Sequence, residues 1–255
     1  MEKFSLAGKT VLITGASSGF GHHFAGVVAE AGANVVLGAR RIDKIETRVQ
    51  ELVAKGARVL GVPLDVNDPD SAAAFLRAAE AEFGTIDVLI NNAGVEAGAK
   101  TYTMIDEEDW DYVLNTNLKS VWRLSKYYTE WAAKQSVSGN IINVASITAY
   151  RTIKGQFPYA VSKAALVKAT EIMALEGARH GVRVNALAPG YILTDVSRVL
   201  LESERSETFV KGIPMRRYGE FDDLDGPLLL LASDASSYMT GSTIVVDGGH
   251  ICSEL

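Results

Sequence analysis

The chain has 255 residues, of which 47% are hydrophobic and 22% charged, a composition typical of a globular protein with one large α/β domain or two small ones. The net charge of -6 gives no electrostatic basis for nucleic-acid binding, and a single cysteine excludes an intrachain disulfide and fits a reducing compartment. Residues 1–6 lack the apolar run of a signal peptide, and the longest apolar stretches are too short to span a bilayer. We therefore expect a cytoplasmic protein with no nucleic-acid or membrane partner.

Short β-branched runs alternate with longer helical patterns along the whole chain. Strands are predicted at residues 10–14, 34–38, 58–62, 87–90, 140–144, 183–187 and 243–246. Helices are predicted at residues 19–31, 41–55, 68–83, 107–134, 158–180 and 222–232, the fourth being long enough to bend. Apolar strands that alternate with helices indicate an α/β fold with a parallel sheet covered on both faces. The loops are short, so we expect one domain, and the long irregular stretch 191–218 is predicted to be a functional lid.

A glycine-rich turn follows the first predicted strand. Gly15, Gly19 and Gly21 are spaced as G-x-x-x-G-x-G before a predicted helix. Such glycines allow a tight turn and let backbone N–H groups approach a pyrophosphate at the helix N-terminus. A plain strand-to-helix turn is the alternative interpretation.

Two arginines follow the second predicted strand. Ala39 stands where enzymes that prefer NAD usually place an acidic residue, and Arg40 and Arg41 come next. A guanidinium group suits a 2′-phosphate, and a cation in the first turn of a helix is otherwise mildly unfavourable. The pattern therefore favours NADP(H), with NAD(H) as a possible cofactor. A solvated helix start is the alternative.

Further candidate cofactor-binding residues follow the third and fourth predicted strands. The segment 91–94 reads Asn-Asn-Ala-Gly, which fits a backbone-lined cofactor cleft but also a simple turn. Asp65 and Val66 follow the third strand, and Asp65 is equally suited to cap the next helix. These positions are weaker candidates for cofactor binding than the glycine turn.

Ser146 follows the strand predicted at 140–144, at the edge of the sheet where open α/β folds bind ligands. The sequence around it is not the G-x-S-x-G elbow of a hydrolase nucleophile. A hydrogen-bonding role toward a substrate oxygen is therefore better supported.

Tyr159 and Lys163 are four residues apart in a predicted helix, so their side chains share one face. A phenol has an unperturbed pKa of about 10 and is a poor acid or base near neutrality. A neighbouring ammonium favours the phenolate, so Lys163 is predicted to lower the pKa of Tyr159 and fit it for alcohol and ketone chemistry. The same spacing occurs in many helices without a catalytic role, and the hypothesis depends on Ser146 and Asn117 upstream.

The four histidines show no zinc-like spacing with cysteine or acidic partners, so no metal site is predicted. His22 and His23 are interpreted as packing or solvated residues beside the glycine turn. Cys252 is interpreted as an inert residue of the C-terminal tail.

Taken together, these motifs resemble the short-chain dehydrogenase/reductase family over essentially the whole chain. The residues that carry the resemblance are Thr14-Gly15-x-x-x-Gly19-x-Gly21, Asn91-Asn92-Ala93-Gly94, Asn117, Ser146, Tyr159-x-x-x-Lys163, Pro189-Gly190 with Thr194, and Val246-Asp247-Gly248-Gly249. The resemblance implies a single-domain, doubly wound Rossmann fold with a seven-stranded parallel sheet. Residues 1–95 would mainly bind the cofactor, and residues 96–255 would carry the catalytic and substrate-binding half.

The resemblance also implies the roles of individual residues. Tyr159 would exchange the proton, Lys163 would lower its pKa and hold the nicotinamide ribose, Ser146 would bind the substrate oxygen, and Asn117 would position a water in a proton relay. The implied cofactor-binding residues are Gly15, Ser17, Ser18, Gly19, Phe20, Gly21, Arg40, Arg41, Asp65, Val66, Asn91, Ala93, Gly94, Tyr159, Lys163, Pro189, Gly190, Ile192 and Thr194. In family terms, Arg40 marks the subtype that prefers NADP.

Phe20 departs from the family, which usually has Ile or Leu between the last two glycines, and we expect local repacking without loss of cofactor binding. The family is commonly tetrameric, which implies interfaces at the region 106–134, the helix from Tyr159 and the C-terminal strand. Trp110, Trp122 and Trp131 are compatible with contacts there and with ordinary core packing.

The expected activity is that of an NADP(H)-dependent oxidoreductase that interconverts a secondary alcohol and a ketone. The substrate pocket is expected to be lined by residues 194–212 and by Val95, Glu96, Ile147, Thr148, Ile153, Phe157 and Tyr191. This mostly apolar set favours a hydrophobic or aromatic ketone, whereas Glu96 and Gln156 would suit the hydroxyls of a sugar or polyol.

Two further functions are kept open. A 3-oxoacyl carrier-protein reductase would need a basic docking patch, for which the basic residues near the cleft are scattered. A cofactor-binding protein without catalysis would be expected to lack one of Ser146, Tyr159 and Lys163, and all three are present.

Overall fold

The computed structural model describes residues 2–193 and 206–253. Its centre is a seven-stranded sheet with the order β3-β2-β1-β4-β5-β6-β7, in which every strand pair is parallel. The strands are β1 (Thr10–Thr14), β2 (Asn34–Ala39), β3 (Val59–Pro63), β4 (Val88–Asn91), β5 (Gly139–Val144), β6 (Val182–Pro189) and β7 (Thr243–Val246). The predicted doubly wound Rossmann fold is confirmed.

Helices cover both faces of this sheet. The α-helices of the described residues are α1 (Gly19–Glu30), α2 (Ile42–Ala54), α3 (Pro69–Phe83), α4 (Glu107–Leu114), α5 (Ser120–Gln135), α6 (Phe157–Gly177), α7 (Ser206–Gly212) and α8 (Asp225–Ala232). Thirteen elements were predicted from the sequence, and all but the helix at 107–134 are found within a few residues of their expected bounds. The sequence also marks their ends: Asp68 caps α3 by accepting a hydrogen bond from the Asp70 N–H at 2.9 Å, and Gly84 ends it at φ 76°.

The alternation of strand side chains builds two apolar layers. Val11 and Ile13 of β1 belong to a buried cluster with Phe24 of α1, whereas Leu12 belongs to a cluster on the other face with Phe75 of α3. Because both faces of the sheet are buried, the strands are apolar along their whole length. Strand order reverses between β1 and β4, so the carboxyl ends of these two strands diverge into a crevice where such folds bind ligands.

Two regions differ from the sequence-based expectation. The region predicted as one helix at 107–134 consists of α4 and α5 joined by a π-helical segment, Asn115–Lys119. The stretch 191–218, predicted to be irregular, contains α7. Its helical pattern is only seven residues long, too short for apolar periodicity to reveal it.

Candidate active site

The glycine turn and the segment after β4 interlock at the sheet's carboxyl edge. The Asn92 side chain donates to the Thr14 and Gly15 carbonyls at 2.9 and 3.3 Å, and the Thr14 hydroxyl accepts from the Asn92 and Ala93 N–H groups, each at 3.0 Å. A Cβ added at Gly21 would lie 2.5 Å from Asn92 Nδ2. Glycine is therefore required there by close approach. Gly15 is required for the same reason, since its Cβ would lie 2.8 Å from Ala93 Cα.

A cleft of about 440 Å³ opens beside this turn, at the β1–β4 crevice. Its lining consists of Gly15, Ser17, Ser18, Phe20, Ala39, Arg40, Arg41, Leu64, Asp65, Val66, Asn67, Asn92, Ala93, Gly94, Val95 and Thr116. Most of the residues predicted to bind the cofactor thus share one cavity. Backbone groups, small residues and two guanidinium groups line it, and this donor set fits a dinucleotide with a phosphorylated ribose.

The two arginines line the cleft on its β2 side, where both are exposed. Arg41 Nη2 donates to Ser17 Oγ and Ser18 Oγ, each at 2.8 Å, which ties the end of β2 to the glycine turn. Ala39, the last residue of β2, is buried. The cleft therefore offers positive charge where an NAD-type site would offer a carboxylate.

Phe20 packs as expected. Its ring stacks on Phe24 with centroids 6.0 Å apart and meets Phe221 edge-on at 5.8 Å. The larger ring is accommodated by aromatic neighbours on α1 and before α8.

Asn91 does not point into the cleft, so its expected role in cofactor binding is corrected for the side chain. Its Nδ2 donates to Ser125 Oγ at 3.1 Å and to Asn143 Oδ1 at 2.9 Å, inside the core. Asn143 in turn donates to Thr170 Oγ1 at 2.9 Å. Asn91 is the last residue of β4, and the alternation of the strand turns its side chain toward α5. It therefore joins β4, β5 and α5 through buried hydrogen bonds.

Ser146, Tyr159 and Lys163 come together at the carboxyl end of β5. Ser146 precedes a short 3-10 helix, Ile147–Ala149, and its hydroxyl accepts from the Thr148 N–H at 3.2 Å. The same hydroxyl lies close enough to Tyr159 to lower the pKa of that phenol. Lys163 Nζ lies 5.6 Å from the centre of the Tyr159 ring and donates to the Val144 carbonyl at 2.7 Å. The α6 face that carries Tyr159 and Lys163 is thus held against the end of β5.

The titration of this group differs from the prediction. Burial raises the pKa of Tyr159 to about 12, the Glu96 carboxylate raises it further, and the hydrogen bond with Ser146 lowers it. Burial lowers the pKa of Lys163 to about 8, against the opposing effect of Glu96. The expected lowering of the Tyr159 pKa by Lys163 is therefore wrong for this arrangement, because burial disfavours both charged forms.

Asn117 is fully buried in the π-helical segment, and its side chain makes three hydrogen bonds. Its Oδ1 accepts from the Val95 N–H at 2.8 Å, and its Nδ2 donates to the Val95 carbonyl at 2.9 Å and to Ser162 Oγ at 3.1 Å. A Cβ at Gly94 would lie 3.7 Å from Lys163 Nζ. Asn117 thus fixes the chain that passes in front of Lys163.

The residues expected to line the substrate pocket are not equally accessible. Ile147 and Thr148 are buried, Ile153 and Tyr191 are partly buried, and Glu96 is exposed on one side of the catalytic group. Phe157 is exposed and packs against Trp110 with ring centroids 5.7 Å apart. Ile147 and Thr148 therefore contribute mainly support to the site, and the other residues offer the accessible surface.

The segment after β6 approaches β7 closely. The Gly190 N–H donates to the Val246 carbonyl at 2.8 Å, and a Cβ at Gly190 would lie 2.7 Å from Asp247 Cα. Pro189 ends β6, and Ile192 directs its side chain into the core, so these residues offer only backbone groups to a cofactor. Thr194 lies outside the described residues.

The C-terminal tail borders the site, which the sequence did not reveal. Arg151 Nη1 donates to the His250 carbonyl and to Ser253 Oγ, each at 2.7 Å, and the His250 ring lies 5.4 Å from the ring of Tyr191. Burial lowers the pKa of His250. No short motif marks this contact, because its partners are about 100 residues apart in the chain.

His23, Asp222 and Asp225 also come together, although they are far apart in the sequence. His23 Nε2 lies 2.6 Å from Asp225 Oδ1, and the ring stacks on Phe221 with centroids 5.1 Å apart. The hydrogen bond joins α1 to α8, the ring contact joins α1 to the 3-10 turn before α8, and together they account for the position of His23.

In the part of the chain that is described, no helix combines the length and apolar character needed to cross a bilayer.

Comparisons with known proteins extend over nearly the whole chain. The profile of the family described as Enoyl-(Acyl carrier protein) reductase matches residues 15–250. A 2-dehydro-3-deoxy-D-gluconate 5-dehydrogenase of Dickeya dadantii is 39% identical over 252 residues, covering 98% of each chain. A 3-oxoacyl-(acyl-carrier-protein) reductase of Thermotoga maritima is 39% identical over 246 residues, covering 96% of this chain and 99% of that protein.

A solved structure is also similar to this chain over nearly its whole length. The gluconate 5-dehydrogenase of Burkholderia cenocepacia, in complex with NADP and tartrate, superposes with a TM-score of 0.93 at 32% identity. The match covers 99% of this chain and 98% of that one.

Proposed function

The chain belongs to the short-chain dehydrogenase/reductase family and is an oxidoreductase of the CH–OH class, and we propose that it interconverts a secondary alcohol and a ketone on a small hydroxylated substrate with NADP(H). The observation that carries this proposal is the grouping of Ser146, Tyr159 and Lys163 next to Gly94, which lines the 440 Å³ cleft. In this reading, residues 1–95 hold most of the cofactor and residues 96–255 carry the chemistry.

Bound NADP(H) would supply or accept the hydride in this reaction. Tyr159 is proposed to give its phenolic proton to the carbonyl oxygen in reduction and to take the hydroxyl proton in oxidation. Ser146 lies close enough to Tyr159 to lower the pKa of its phenol, so one substrate oxygen would contact both hydroxyls. These two contacts would orient the reacting carbon and stabilise negative charge on the oxygen.

Lys163 is proposed to support this proton exchange. Its pKa of about 8 means that it can release and regain a proton close to neutral pH. Asn117 spends both amide donors and one of its two acceptor lone pairs on Val95 and Ser162, so a water in the proposed relay would be held by its backbone or by the remaining lone pair. Its side chain acts as a positioning group for the cleft wall.

NADP(H) is the proposed cofactor because Arg40 and Arg41 line the cleft and Ala39 replaces an acid. The relative of known structure with bound NADP supports the same choice. NAD(H) is proposed as a weaker alternative, since its ribose hydroxyl gains nothing from a guanidinium group.

A sugar or polyol is the proposed substrate class, in place of the hydrophobic ketone that the sequence favoured. Two relatives are named for gluconate derivatives, and Glu96 is an exposed carboxylate whose charge raises the pKa of Tyr159 and Lys163. An aryl ketone is the second candidate, because Phe157, Tyr191 and Ile153 form apolar surface at the same site. A 3-oxoacyl thioester is a third, supported by the named reductase relative.

The test is a cofactor-linked assay with purified protein, followed by NADPH absorbance. Polyols and aldonates are tested with NADP+, and aryl ketones and 3-oxoacyl thioesters with NADPH, each in parallel with the non-phosphorylated cofactor. The proposal expects the hydroxylated compounds to give the highest kcat/KM, with the phosphorylated cofactor preferred. Turnover of thioesters or aryl ketones alone would overturn the proposed substrate class. No turnover with any of the compounds would overturn the proposed catalytic role of the site.

We also propose a homotetramer. Trp122 on α5 and Leu175 on α6 are exposed, and Trp122 lines a groove between the two helices. Tyr238, just before β7, is fully exposed. Sedimentation equilibrium should give four times the chain mass of 27.3 kDa, and a mass equal to one chain would contradict the proposal.

A further inference from the structure

A second cavity lies beside the cofactor cleft, next to the loop that follows β3. Its volume is about 300 Å³, at the small end of the range of ligand pockets, and its lining consists of Asn67, Tyr112, Asn115, Lys119 and Arg123. This cavity is called the side pocket below. Asn67 also lines the 440 Å³ cleft, so the two cavities share a wall.

The helical region from α4 to α5 supplies four of the five residues that line the side pocket. Positions 112, 115, 119 and 123 follow one another at intervals of three or four residues, which places their side chains in a row on one face. The row faces the loop after β3, because Arg123 Nη1 donates to the carbonyls of Val66 and Asn67 at 2.9 and 3.1 Å. The side pocket therefore lies between this helical face and the loop.

The side pocket carries two positive charges and no negative one. Lys119 is exposed, Arg123 is half-buried, and the lining contains no acidic side chain. Among the described residues, neither cation forms an ion pair, although the whole chain has a net charge of -6. The two cations are four residues apart on the helical face, where like charges repel each other. A bound anion would remove this repulsion.

We propose that the side pocket binds a phosphate group, either as inorganic phosphate or as part of a small phosphorylated metabolite, and that this binding stabilises the adjoining end of the cofactor cleft. A guanidinium and an ammonium group both bind phosphate well, the first through its fork of N–H donors and the second as a point charge. Arg123 uses only Nη1 on the two loop carbonyls, so its remaining N–H groups can bind an anion without losing those contacts. Within residues 2–193 and 206–253, the Lys119 ammonium makes no hydrogen bond at all.

Hydrogen bonds of Asn67 and Arg123 connect the side pocket to the cleft. Asn67 Nδ2 donates to Thr116 Oγ1 at 2.9 Å, and both residues line the cleft. The carbonyls that Arg123 binds belong to Val66 and Asn67, which line the same part of the cleft. An anion that fixes the Arg123 side chain would therefore also fix this part of the cleft wall. Binding of the dinucleotide would be strengthened, because less ordering of the wall would be left for it to induce.

The first test is a calorimetric titration of inorganic phosphate, and separately of glucose 6-phosphate, into protein saturated with NADP+. Saturation fills the cleft, so Arg40 and Arg41 are not available to the added anion. Wild type should bind one equivalent with a Kd of about 1 mM or lower. A lower Kd for glucose 6-phosphate would identify a phosphorylated metabolite as the ligand, and equal values would identify the phosphate ion itself.

The variant Lys119→Met should weaken this binding on the order of tenfold, because it removes one charged donor from the side pocket. Lys119 is exposed and makes no contact that the fold needs, so the variant should fold as wild type does. Lys134→Met is the matched control, since it removes an equal charge from the exposed end of α5 and should bind phosphate as wild type does.

The second test measures the Kd of NADPH by fluorescence titration, with and without saturating inorganic phosphate. Added phosphate also competes with NADPH for the cleft, but this competition is the same in wild type and in Lys119→Met. The rise in Kd that phosphate causes should therefore be smaller in wild type than in Lys119→Met, on the order of fivefold.

Absence of saturable phosphate binding, or equal binding by wild type and Lys119→Met, would overturn the inference. Equal effects of phosphate on NADPH binding in the two proteins would overturn the stabilisation of the cleft. Both tests measure binding, so a failure of the proposed function, seen as no turnover of any substrate, would leave their results unchanged.

Discussion

The side-chain amide of Asn117 binds both backbone groups of Val95. It accepts a hydrogen bond from the Val95 N–H at 2.8 Å and donates one to the Val95 carbonyl at 2.9 Å. Asn117 lies in the π-helical segment between α4 and α5, and the wider turn of this segment places its side-chain amide inward. One side chain thereby joins a helix to the loop that borders both the cofactor cleft and the catalytic group.

Asn117→Ala should destabilise the protein and reduce turnover together. It would leave the Val95 backbone groups and Ser162 Oγ without this buried partner, and a cost of about 2–3 kcal/mol is expected. Asn117→Asp can still accept from Val95 but cannot donate, so it should fall between alanine and wild type. Urea unfolding with parallel kcat measurements tests this. If Asn117→Ala changed the free energy of unfolding by less than about 0.5 kcal/mol, the hydrogen bonds of Asn117 with Val95 would not be needed for stability.

Gly21→Ala should weaken NADPH binding at least tenfold. The added Cβ would lie 2.5 Å from Asn92 Nδ2 and 2.6 Å from the Gly15 carbonyl, so the glycine turn would have to move away from the segment after β4. Gly226→Ala on α8 is the matched control, because nothing lies within 4 Å of its added Cβ. Fluorescence titration with NADPH compares the two. Equal affinity in both variants would mean that the turn does not shape the site.

Arg40→Asp and Arg41→Asp should each shift preference toward NADH. Both side chains line the cleft, and a carboxylate there would repel a 2′-phosphate and accept a bond from a ribose hydroxyl. We expect the ratio of kcat/KM for NADPH to that for NADH to fall at least tenfold. Lys44→Asp changes charge equally on exposed α2 and should not alter the ratio. A ratio that stays constant in both arginine variants would refute the proposed 2′-phosphate role.

Lys163 should make stability rise with pH between about 8 and 10. Its pKa is about 8 in the folded chain, so in this range the unfolded chain binds the proton that the folded chain has lost. The unfolded state binds more protons, and the slope of stability with pH is therefore positive, worth about 2 kcal/mol over this interval. Above pH 10 the raised pKa of Tyr159 acts in the opposite direction.

The variant Lys163→Met should lose that rise, whereas Lys168→Met, an exposed position on the same helix, should keep it. Urea unfolding at several pH values from 7 to about 10 measures the difference. The same slope in wild type and Lys163→Met would mean that the buried ammonium keeps its ordinary pKa.

Most of the fold could be predicted from the sequence, because each helix and strand is specified by a local pattern of residues. Apolar runs such as residues 10–14 and caps such as Asp68 and Gly84 report on neighbours within a few residues. The π-helical segment at 115–119 was not predicted, because its distinction from an α-helix depends on hydrogen-bond register and leaves no periodic trace. Helix α7 was missed because seven residues form too short a pattern.

The sequence predicted which residues form the site, but it did not predict their burial, their pKa values or the direction of every side chain. Spacing was enough to select Ser146, Tyr159 and Lys163, yet the pKa of Tyr159 depends on burial and on Glu96, which lies 63 positions away in the chain. Asn91 was assigned to the cleft because its position at the end of β4 is right, but the strand alternation turns its amide into the core. Such properties depend on tertiary contacts that no short motif contains.

The measurement that tests the central claim most directly is turnover by Tyr159→Phe, with Tyr150→Phe as the control. Phenylalanine keeps the ring beside Lys163 and removes only the hydroxyl, whose pKa responds to Ser146. Tyr150 is exposed in the loop before α6 and should tolerate the same change. We predict that Tyr159→Phe loses at least about 10³-fold in kcat while NADPH affinity changes little. Turnover comparable to that of wild type and Tyr150→Phe would contradict the assignment of Tyr159 as the proton-transfer residue.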